Sequence, residues 1–280
     1  MSLIDADELA ALLAAPDAAA SPVVVCDVRF HLGAHEQGYR EYADAHIPGA
    51  RFVDLHTELA DTSIVGAGRH PLPTVEAFTE LLGALGITPA TLVVAYDAAG
   101  GATAARLWWM LRSIGHGQVK VLDGGWPAWV AGGHPVTAEM PEPTPAVYPP
   151  VAGWTGIVSA DDVAEGLRYG AHVVDSRAPE RYRGETEPLD PQAGHIPGAV
   201  NVFHGGNVGA DGRMLPVGEL AARFAAVGER PIVYCGSGVT ACHNLLAMSL
   251  ANVTEARLYP GSWSEWSSDA DRPVATGDAP

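Results

Sequence analysis

The chain has 280 residues, of which 48% are hydrophobic, and its formal net charge is −17. This length accommodates one or two domains with sizeable cores. The strong negative charge argues against nucleic acid and against anionic membranes as partners.

The cysteine content and the N-terminal sequence indicate the cellular compartment of the protein. Three cysteines are too few for a disulfide framework or a cysteine-rich zinc site, and they fit a reducing environment. The first eight residues are acidic where a signal peptide is basic, and no apolar run approaches a membrane span. We therefore expect a cytoplasmic protein. The histidines lack metal-ligand spacing, so we expect no metal and no cofactor.

In the first half, β-branched runs alternate with segments of helical periodicity. Strands are predicted at 23–28, 51–53, 92–96 and 119–122, and helices at 74–85 and 102–114. Thr74 is the expected cap of the first of these helices, and Gly86 is its expected end. The stretch 138–155 contains five prolines and predicts a stiff linker between a domain at 1–137 and a domain at 156–280.

The second half has the same alternation. Ser159 and Asp162 predict a capped helix that ends at Gly170, and a further helix is predicted at 241–248. Strands are predicted at 172–175, 199–202, 232–234 and 256–258. The pattern predicts an α/β fold, in which each domain is a parallel sheet with helices on both faces. Functional sites in such sheets lie at the carboxyl ends of strands.

The two halves also share sequence markers, which indicates a duplication. Four features recur in the same order: Asp27-Val28-Arg29 with Asp175-Ser176-Arg177, His46–Ala50 with His195–Ala199, Trp126-x-x-Trp129 with Trp263-x-x-Trp266, and Pro135-Val136 with Pro273-Val274. Because the same motif contributes His46 to one half and His195 to the other, we expect both histidines to be structural. Repetition at a nearly constant spacing predicts two homologous domains.

The chemically most informative stretch is Cys235–Thr240, which reads Cys-Gly-Ser-Gly-Val-Thr. It lies between a predicted buried strand and a predicted helix, so its backbone N–H groups surround the positive end of that helix. A cysteine there faces a site built for negative charge, and we expect the pKa of its thiol to fall below the ordinary value of about 8.5. Cys235 is therefore the predicted nucleophile. Gly236, Gly238, Val239 and Thr240 complete the anion cradle.

These motifs resemble the rhodanese superfamily over nearly the whole chain, and within it the tandem-domain thiosulfate and 3-mercaptopyruvate sulfurtransferases. The resemblance implies that Cys235 accepts a sulfane sulfur as a persulfide and passes it to a thiophilic acceptor. Asp97 stands in the first half where Cys235 stands in the second. The N-terminal domain is accordingly expected to be catalytically silent.

The resemblance also implies roles for other residues. Arg181 matches the arginine that binds the donor carboxylate, and a guanidinium suits such an anion; the alternative is a surface arginine paired with Glu180 or Glu185. Ser237 is expected to act directly on the sulfur or the substrate carbonyl, whereas Thr240 is expected mainly to cap the helix.

Two residues of the first half are further candidates. His70 resembles a proton-transfer histidine of the silent domain, with Asp54 or Asp61 as its candidate carboxylate partner. Arg69 beside it adds positive potential. Arg177 is expected to brace the fold, as Arg29 does in the other half. Asp190 stands where mercaptopyruvate enzymes carry a second arginine, which weakens the match to that donor.

The predicted function is sulfur transfer from a small anionic donor, 3-mercaptopyruvate or thiosulfate, to cyanide, a small thiol or a protein thiol such as a thioredoxin-like protein. The neutral Gly-Ser-Gly loop favours mercaptopyruvate, with thiosulfate as the alternative. A non-catalytic sulfur-carrier module is a further alternative. A phosphatase of this fold needs a loop one residue longer that ends in arginine, and position 241 is alanine.

Overall fold

The structure is a computed structural model that describes residues 2–15 and 22–280, and the chain divides into two compact units. Unit 1 comprises Met1–Ala60, Pro73–Thr155 and Gly209–Met214. Unit 2 comprises Asp61–Leu72, Gly156–Val208 and Leu215–Pro280. Each half of the chain thus contributes one short segment to the unit that consists mainly of the other half.

Unit 1 is built on a parallel sheet. In the part of the chain that the structure describes, this sheet has five strands in the order β1-β5-β4-β2-β3: β1 (Leu3–Ile4), β2 (Val23–Asp27), β3 (Arg51–Phe52), β4 (Leu92–Tyr96) and β5 (Val119–Leu122). Its helices are α1 (Ala6–Ala14), α2 (His35–Asp44), α3 (Val75–Ala84), α4 (Ala104–Ser113) and α5 (Gly125–Ala131). Buried Leu9, Val94 and Trp129 belong to its core.

Unit 2 repeats this plan with a smaller sheet. Its described strands are all parallel in the order β7-β6-β8-β9: β6 (Val173–Asp175), β7 (Ala199–Asn201), β8 (Ile232–Tyr234) and β9 (Arg257–Leu258). Its α-helices are α6 (Ala160–Arg168), α7 (Pro179–Tyr182), α8 (Val217–Phe224), α9 (Thr240–Leu250) and α10 (Ser262–Trp266), and a 3-10 helix spans His204–Asn207. The predicted α/β class is confirmed.

The helix caps follow from the sequence. The Thr74 side chain accepts the Ala77 N–H, and α3 ends one residue before the predicted bound. At the start of α6, the Ser159 side chain accepts the Asp162 N–H, while the Asp162 carboxylate accepts the Ser159 N–H. These reciprocal bonds form the predicted capping box.

The repeated sequence markers are structural elements in both units. Arg177 binds the Asp175 carboxylate at 2.6 Å and the Gly194 carbonyl at 2.7 Å, and its guanidinium lies 4.5 Å from the Trp263 ring centroid. Arg29 makes the equivalent contacts with Asp27, Ala45 and Trp126. The second tryptophan of each repeated pair donates to the carbonyl of the repeated proline, Trp129 to Pro135 and Trp266 to Pro273. Both arginines brace the fold, as predicted.

The proline-rich stretch 138–155 contains neither helix nor strand, and it packs on unit 1. The Ala146 N–H donates to the Gly83 carbonyl at 2.8 Å. The Trp154 indole donates to the Pro73 carbonyl at 2.9 Å, and its ring lies 5.3 Å from that of Phe78. These contacts bind the stretch to the side of unit 1.

Candidate active site

Cys235 lies at the carboxyl end of β8, which has strands on both sides in the sheet of unit 2. The loop turns back at Gly238, where φ is +76°. A Cβ on Gly238 would lie 2.4 Å from the Pro260 carbonyl oxygen, so only glycine fits there. The loop continues into α9. Cys235 is 2% exposed, which places its thiol in a nearly enclosed site.

The segment that starts α10 supports the loop from the other side. The Cys235 N–H donates to Ser262 Oγ at 3.1 Å, and the Cys235 carbonyl accepts the Trp263 N–H at 3.0 Å. The Gly236 carbonyl accepts the Ser264 N–H at 2.9 Å. These bonds fix the backbone that carries the thiol.

Ser262 was not among the residues that the sequence singled out. Its φ is +55°, as is that of Gly125, which precedes the corresponding tryptophan in unit 1. A non-glycine residue in this region is strained, and here its hydroxyl binds the backbone of Cys235. Comparison of the two repeats at this position, Gly in one and Ser in the other, is the signal that could have identified it.

The equivalent loop of unit 1 shows what such a loop binds. Asp97 follows β4 and is 1% exposed. Its carboxylate accepts the backbone N–H groups of Ala99, Gly101, Thr103 and Ala104 at 2.8–2.9 Å. Strand, loop and helix start therefore form an anion cradle that a carboxylate of unit 1 itself occupies. The equivalent loop in unit 2 has a neutral Gly-Ser-Gly sequence, and it carries Cys235 at the position of Asp97.

His70 and Ser237 meet in unit 2. The segment Asp61–Leu72 belongs to this unit, and His70 Nδ1 lies 2.8 Å from Ser237 Oγ. The two residues are 4% and 8% exposed. The structure thus brings together His70 and Ser237, two residues that the sequence predicted as catalytic, and Ser237 is two positions beyond Cys235 in the chain.

Two guanidinium groups lie beside Gly236. A Cβ on Gly236 would lie 2.9 Å from Arg69 Nη2 and 3.4 Å from Arg181 Nη1. Arg69 is held in place by its backbone N–H, which donates to Ser264 Oγ at 3.0 Å. The absence of a side chain at Gly236 leaves room for both cations. The cradle is therefore flanked by two positive charges that come from separate segments.

Buried carboxylates orient these arginines. Glu187 accepts two hydrogen bonds from Arg181 Nη2, the shorter at 2.7 Å, and one from Nε at 3.2 Å. Asp190 Oδ2 accepts from Arg181 Nη2 at 3.1 Å, while Asp190 Oδ1 pairs with Arg69 Nη1. The Glu187 and Asp190 side chains are 3% and 2% exposed. Burial raises the pKa of Asp190 above its usual range, and the two arginines oppose this shift.

Two expectations about this region are corrected. The alternative partners of Arg181, Glu180 and Glu185, are not the residues it binds; Glu185 binds Arg183 instead. Asp190 does not simply replace an arginine with an opposing charge, because it ties two arginines together. Chain proximity suggested the wrong acids, since the turn after α7 carries Glu187 and Asp190 back toward Arg181.

Thr240 does not occupy the predicted cap position. It is the first residue of α9, and the N-cap residue is Val239, which makes no side-chain cap bond. The two candidate carboxylate partners of His70 are used in local turns. Asp54 accepts the His56 and Thr57 N–H groups, and Asp61 accepts from Ser63.

Several other residues are structural, as expected. His46 Nδ1 lies 2.7 Å from the Tyr42 carbonyl, and His195 Nδ1 lies 2.8 Å from the Tyr182 carbonyl. Cys242 is buried on α9, and its Sγ lies 3.3 Å from the Gly238 carbonyl. Cys26 is buried in β2, and burial raises the pKa of its thiol to about 12, so it stays protonated. No group of three or more His, Cys, Asp or Glu residues within 2–15 and 22–280 is arranged to hold a metal ion.

Comparison with known proteins gives one family. The rhodanese-like domain matches twice, at residues 5–132 and 159–269. A protein of Pseudomonas aeruginosa named "Probable 3-mercaptopyruvate sulfurtransferase" is 44% identical over 284 residues, covering 99% of this chain and 98% of that protein. The thiosulfate sulfurtransferase of Rattus norvegicus is 37% identical over 252 residues, covering 86% of this chain and 84% of the relative.

A solved structure agrees. SseA from Escherichia coli, a 3-mercaptopyruvate sulfotransferase, superposes with a TM-score of 0.80 at 31% identity, covering 94% of this chain and 99% of SseA. Among the described residues, no helix has the length and apolar character needed to cross a membrane.

Proposed function

Because this chain belongs to the rhodanese-like family and is a sulfurtransferase, we propose that Cys235 carries the transferred sulfur as a persulfide. The observation that supports this most directly is the pair of equivalent loops. In unit 1 the loop amides bind the Asp97 carboxylate, and in unit 2 the equivalent position holds a cysteine. A loop that stabilises a carboxylate can also stabilise a thiolate and a terminal persulfide anion.

The first half-reaction forms the persulfide. The Cys235 thiolate attacks the sulfur of 3-mercaptopyruvate, the carbon–sulfur bond breaks, and the electron pair leaves on the pyruvate enolate, which then takes up a proton. With thiosulfate, the thiolate attacks the outer sulfur, and sulfite leaves with the electron pair of the sulfur–sulfur bond. Ser237 and His70 are at hydrogen-bond distance from each other and are suited to move the proton.

The two arginines support 3-mercaptopyruvate as the donor. Arg69 and Arg181 present guanidinium nitrogens beside Gly236, one residue from the nucleophile. A planar carboxylate fits paired guanidinium donors. Thiosulfate is the alternative donor, since its oxygens fit the same groups and a relative at 37% identity is named for it.

The second half-reaction transfers the outer sulfur to a nucleophilic acceptor. We propose cyanide, a small thiol or a protein thiol such as a thioredoxin-like protein, because each can attack the persulfide and regenerate the Cys235 thiolate. Neither nucleic acid nor a membrane surface suits a chain with a net charge of −17. The described cysteines form no disulfide with one another, which supports a cytoplasmic location.

The deciding experiment combines intact mass with donor kinetics. Treatment of the purified protein with each donor, without acceptor, is expected to add the mass of one sulfur atom, located at Cys235 by peptide mapping. Steady-state kcat/KM for both donors then ranks them. Failure of both donors to load Cys235 contradicts the persulfide proposal. A loaded Cys235 with no turnover on any acceptor identifies the carrier module instead.

A further inference from the structure

Asp190 holds two cations of the site with one carboxylate. One of its oxygens pairs with Arg69 and the other with Arg181, and its side chain is 2% exposed. A Cβ on Gly236 would lie nearest to Arg69 Nη2 and Arg181 Nη1, which Asp190 does not bind, and 3.7 Å from Arg181 Nη2, which it does bind. Asp190 therefore contacts the same two guanidiniums that flank Gly236.

The charges of this cluster balance. Among the described residues that pair with one another here, three guanidiniums meet three carboxylates: Arg69, Arg177 and Arg181 with Asp175, Glu187 and Asp190. The cluster has no net charge when all six groups are ionised. An anionic donor is then attracted by hydrogen-bond donors, the guanidinium groups and the loop amides. The cluster itself has no excess positive charge that would favour a dianion over a monoanion.

Of the three carboxylates in this cluster, Asp190 is the one best placed to change the preference between singly and doubly charged donors. Glu187 also binds Arg177, whose remaining bonds go to Asp175 and to the backbone. Among the carboxylates within residues 2–15 and 22–280, Asp190 is the one that pairs with both arginines that flank Gly236. Its repulsion acts on any donor charge placed between them, and this repulsion grows in proportion to the donor charge.

We propose that Asp190 is a specificity-determining residue that adapts the site to a singly charged donor head group, a carboxylate, and disfavours a doubly charged one such as thiosulfate. The inference rests on the proposed function, since it concerns the donor of that same half-reaction. It reverses the simple expectation from the sequence, in which an acid at position 190 weakens the match to a carboxylate donor.

The test is a change of donor preference. Asp190→Asn removes one negative charge and keeps a side chain of the same size. We expect the ratio of kcat/KM for thiosulfate to kcat/KM for 3-mercaptopyruvate to rise ~10-fold, because the dianion gains about twice the electrostatic benefit. The matched control is Glu185→Gln, which removes the same charge from an exposed residue bound to Arg183 and is expected to leave the ratio unchanged. An unchanged ratio in Asp190→Asn, or an equal loss for both donors, overturns the proposal.

A second variant, which removes a positive charge instead of a negative one, keeps the proposal testable if Asp190→Asn does not fold. Arg69→Gln removes a positive charge from a partly exposed side chain and is expected to lower the same ratio. Competitive inhibition by sulfate and by acetate is a second measurement. On changing the wild-type protein to Asp190→Asn, the inhibition constant of sulfate is expected to fall more than that of acetate. No relative change between the two anions contradicts the inference.

Failure of the proposed function has a different signature. If neither donor loads Cys235 of the wild-type protein, the persulfide proposal fails, and the relative affinities of wild-type and variant proteins for sulfate and acetate, measured by titration calorimetry, still test Asp190. If Cys235 is loaded and the donor ratio does not respond to Asp190→Asn, only the inference about Asp190 fails.

Discussion

His70 Nδ1 lies 2.8 Å from Ser237 Oγ, although the two residues are 167 positions apart in the chain. The contact arises because the segment Asp61–Leu72 packs within unit 2. Either group can donate the hydrogen bond, depending on the imidazole tautomer. The pair links the loop of Cys235 to an imidazole, a group suited to transfer protons.

Replacement of His70 is expected to affect proton transfer. His70→Asn keeps a polar group near the position of Nδ1 but cannot titrate near neutral pH. We expect kcat/KM to fall roughly 100-fold, the lower end of the usual contribution of a general acid or base. We also expect the corresponding limb of the pH–rate profile to disappear. A small rate loss with an unchanged pH profile would assign His70 a purely structural role.

Cys235→Ser is expected to abolish persulfide formation and turnover. A hydroxyl is a far weaker nucleophile toward sulfur, and the substitution preserves the size of a side chain that is 2% exposed. Intact mass after donor treatment and steady-state assays measure the effect. Cys242→Ser, which removes a buried thiol and leaves Cys235 in place, is the control. This variant should still load sulfur. Sulfur loading in Cys235→Ser contradicts the assignment.

Arg181→Ala is expected to raise the KM for 3-mercaptopyruvate. Loss of a hydrogen bond between charged groups costs about 1.5–3 kcal/mol, which corresponds to a rise of roughly 10- to 100-fold. Arg183→Ala is the matched control, because Arg183 is two residues away and binds exposed Glu185. Equal KM values for the two variants would show that Arg181 only anchors Glu187 and Asp190.

Asp97→Asn is expected to destabilise the chain by about 2–3 kcal/mol, because an amide cannot accept all the N–H groups that the carboxylate binds. Urea denaturation of the full chain measures the free energy of unfolding. Asp44→Asn, at an exposed end of α2, provides the control. Equal stability of the two variants contradicts the description of the unit 1 loop as an anion cradle.

His204 is expected to make the stability depend on pH. Burial lowers the pKa of His204 below its ordinary value of 6.5, so the folded chain binds this proton less readily than the unfolded chain does. Stability is therefore lost as the pH falls through 6.5 toward the folded-state pKa. His204→Asn keeps a donor for the Ser176 carbonyl, which lies 3.0 Å from Nδ1. The loss of thermal stability between neutral and mildly acidic pH should be smaller in this variant, and an identical loss argues against the assignment.

Much of the fold was predictable because its signals are local. Strands β4, β5 and β8 have the predicted bounds, since these short runs rich in β-branched residues are each followed by aspartate or cysteine. The loop Cys235–Thr240 was predictable for the same reason, because strand, glycine-rich turn and helix are adjacent in the chain. The duplication identified Asp97 as the counterpart of Cys235. The structure shows that the Asp97 carboxylate binds the backbone N–H groups of its own loop.

The sequence alone determined the class of fold, the repeated architecture and the position of the Cys235–Thr240 loop, because each is encoded in adjacent residues or in a repeat. Only the tertiary structure decided the electrostatics around that loop. Long arginine side chains bind the carboxylates that folding brings near and buries: Arg181 binds Glu187 and Asp190, while the closer Glu185 stays exposed with Arg183. The approach of Arg69 to Gly236 depends on the path of a segment from the other half of the chain, which no local pattern specifies.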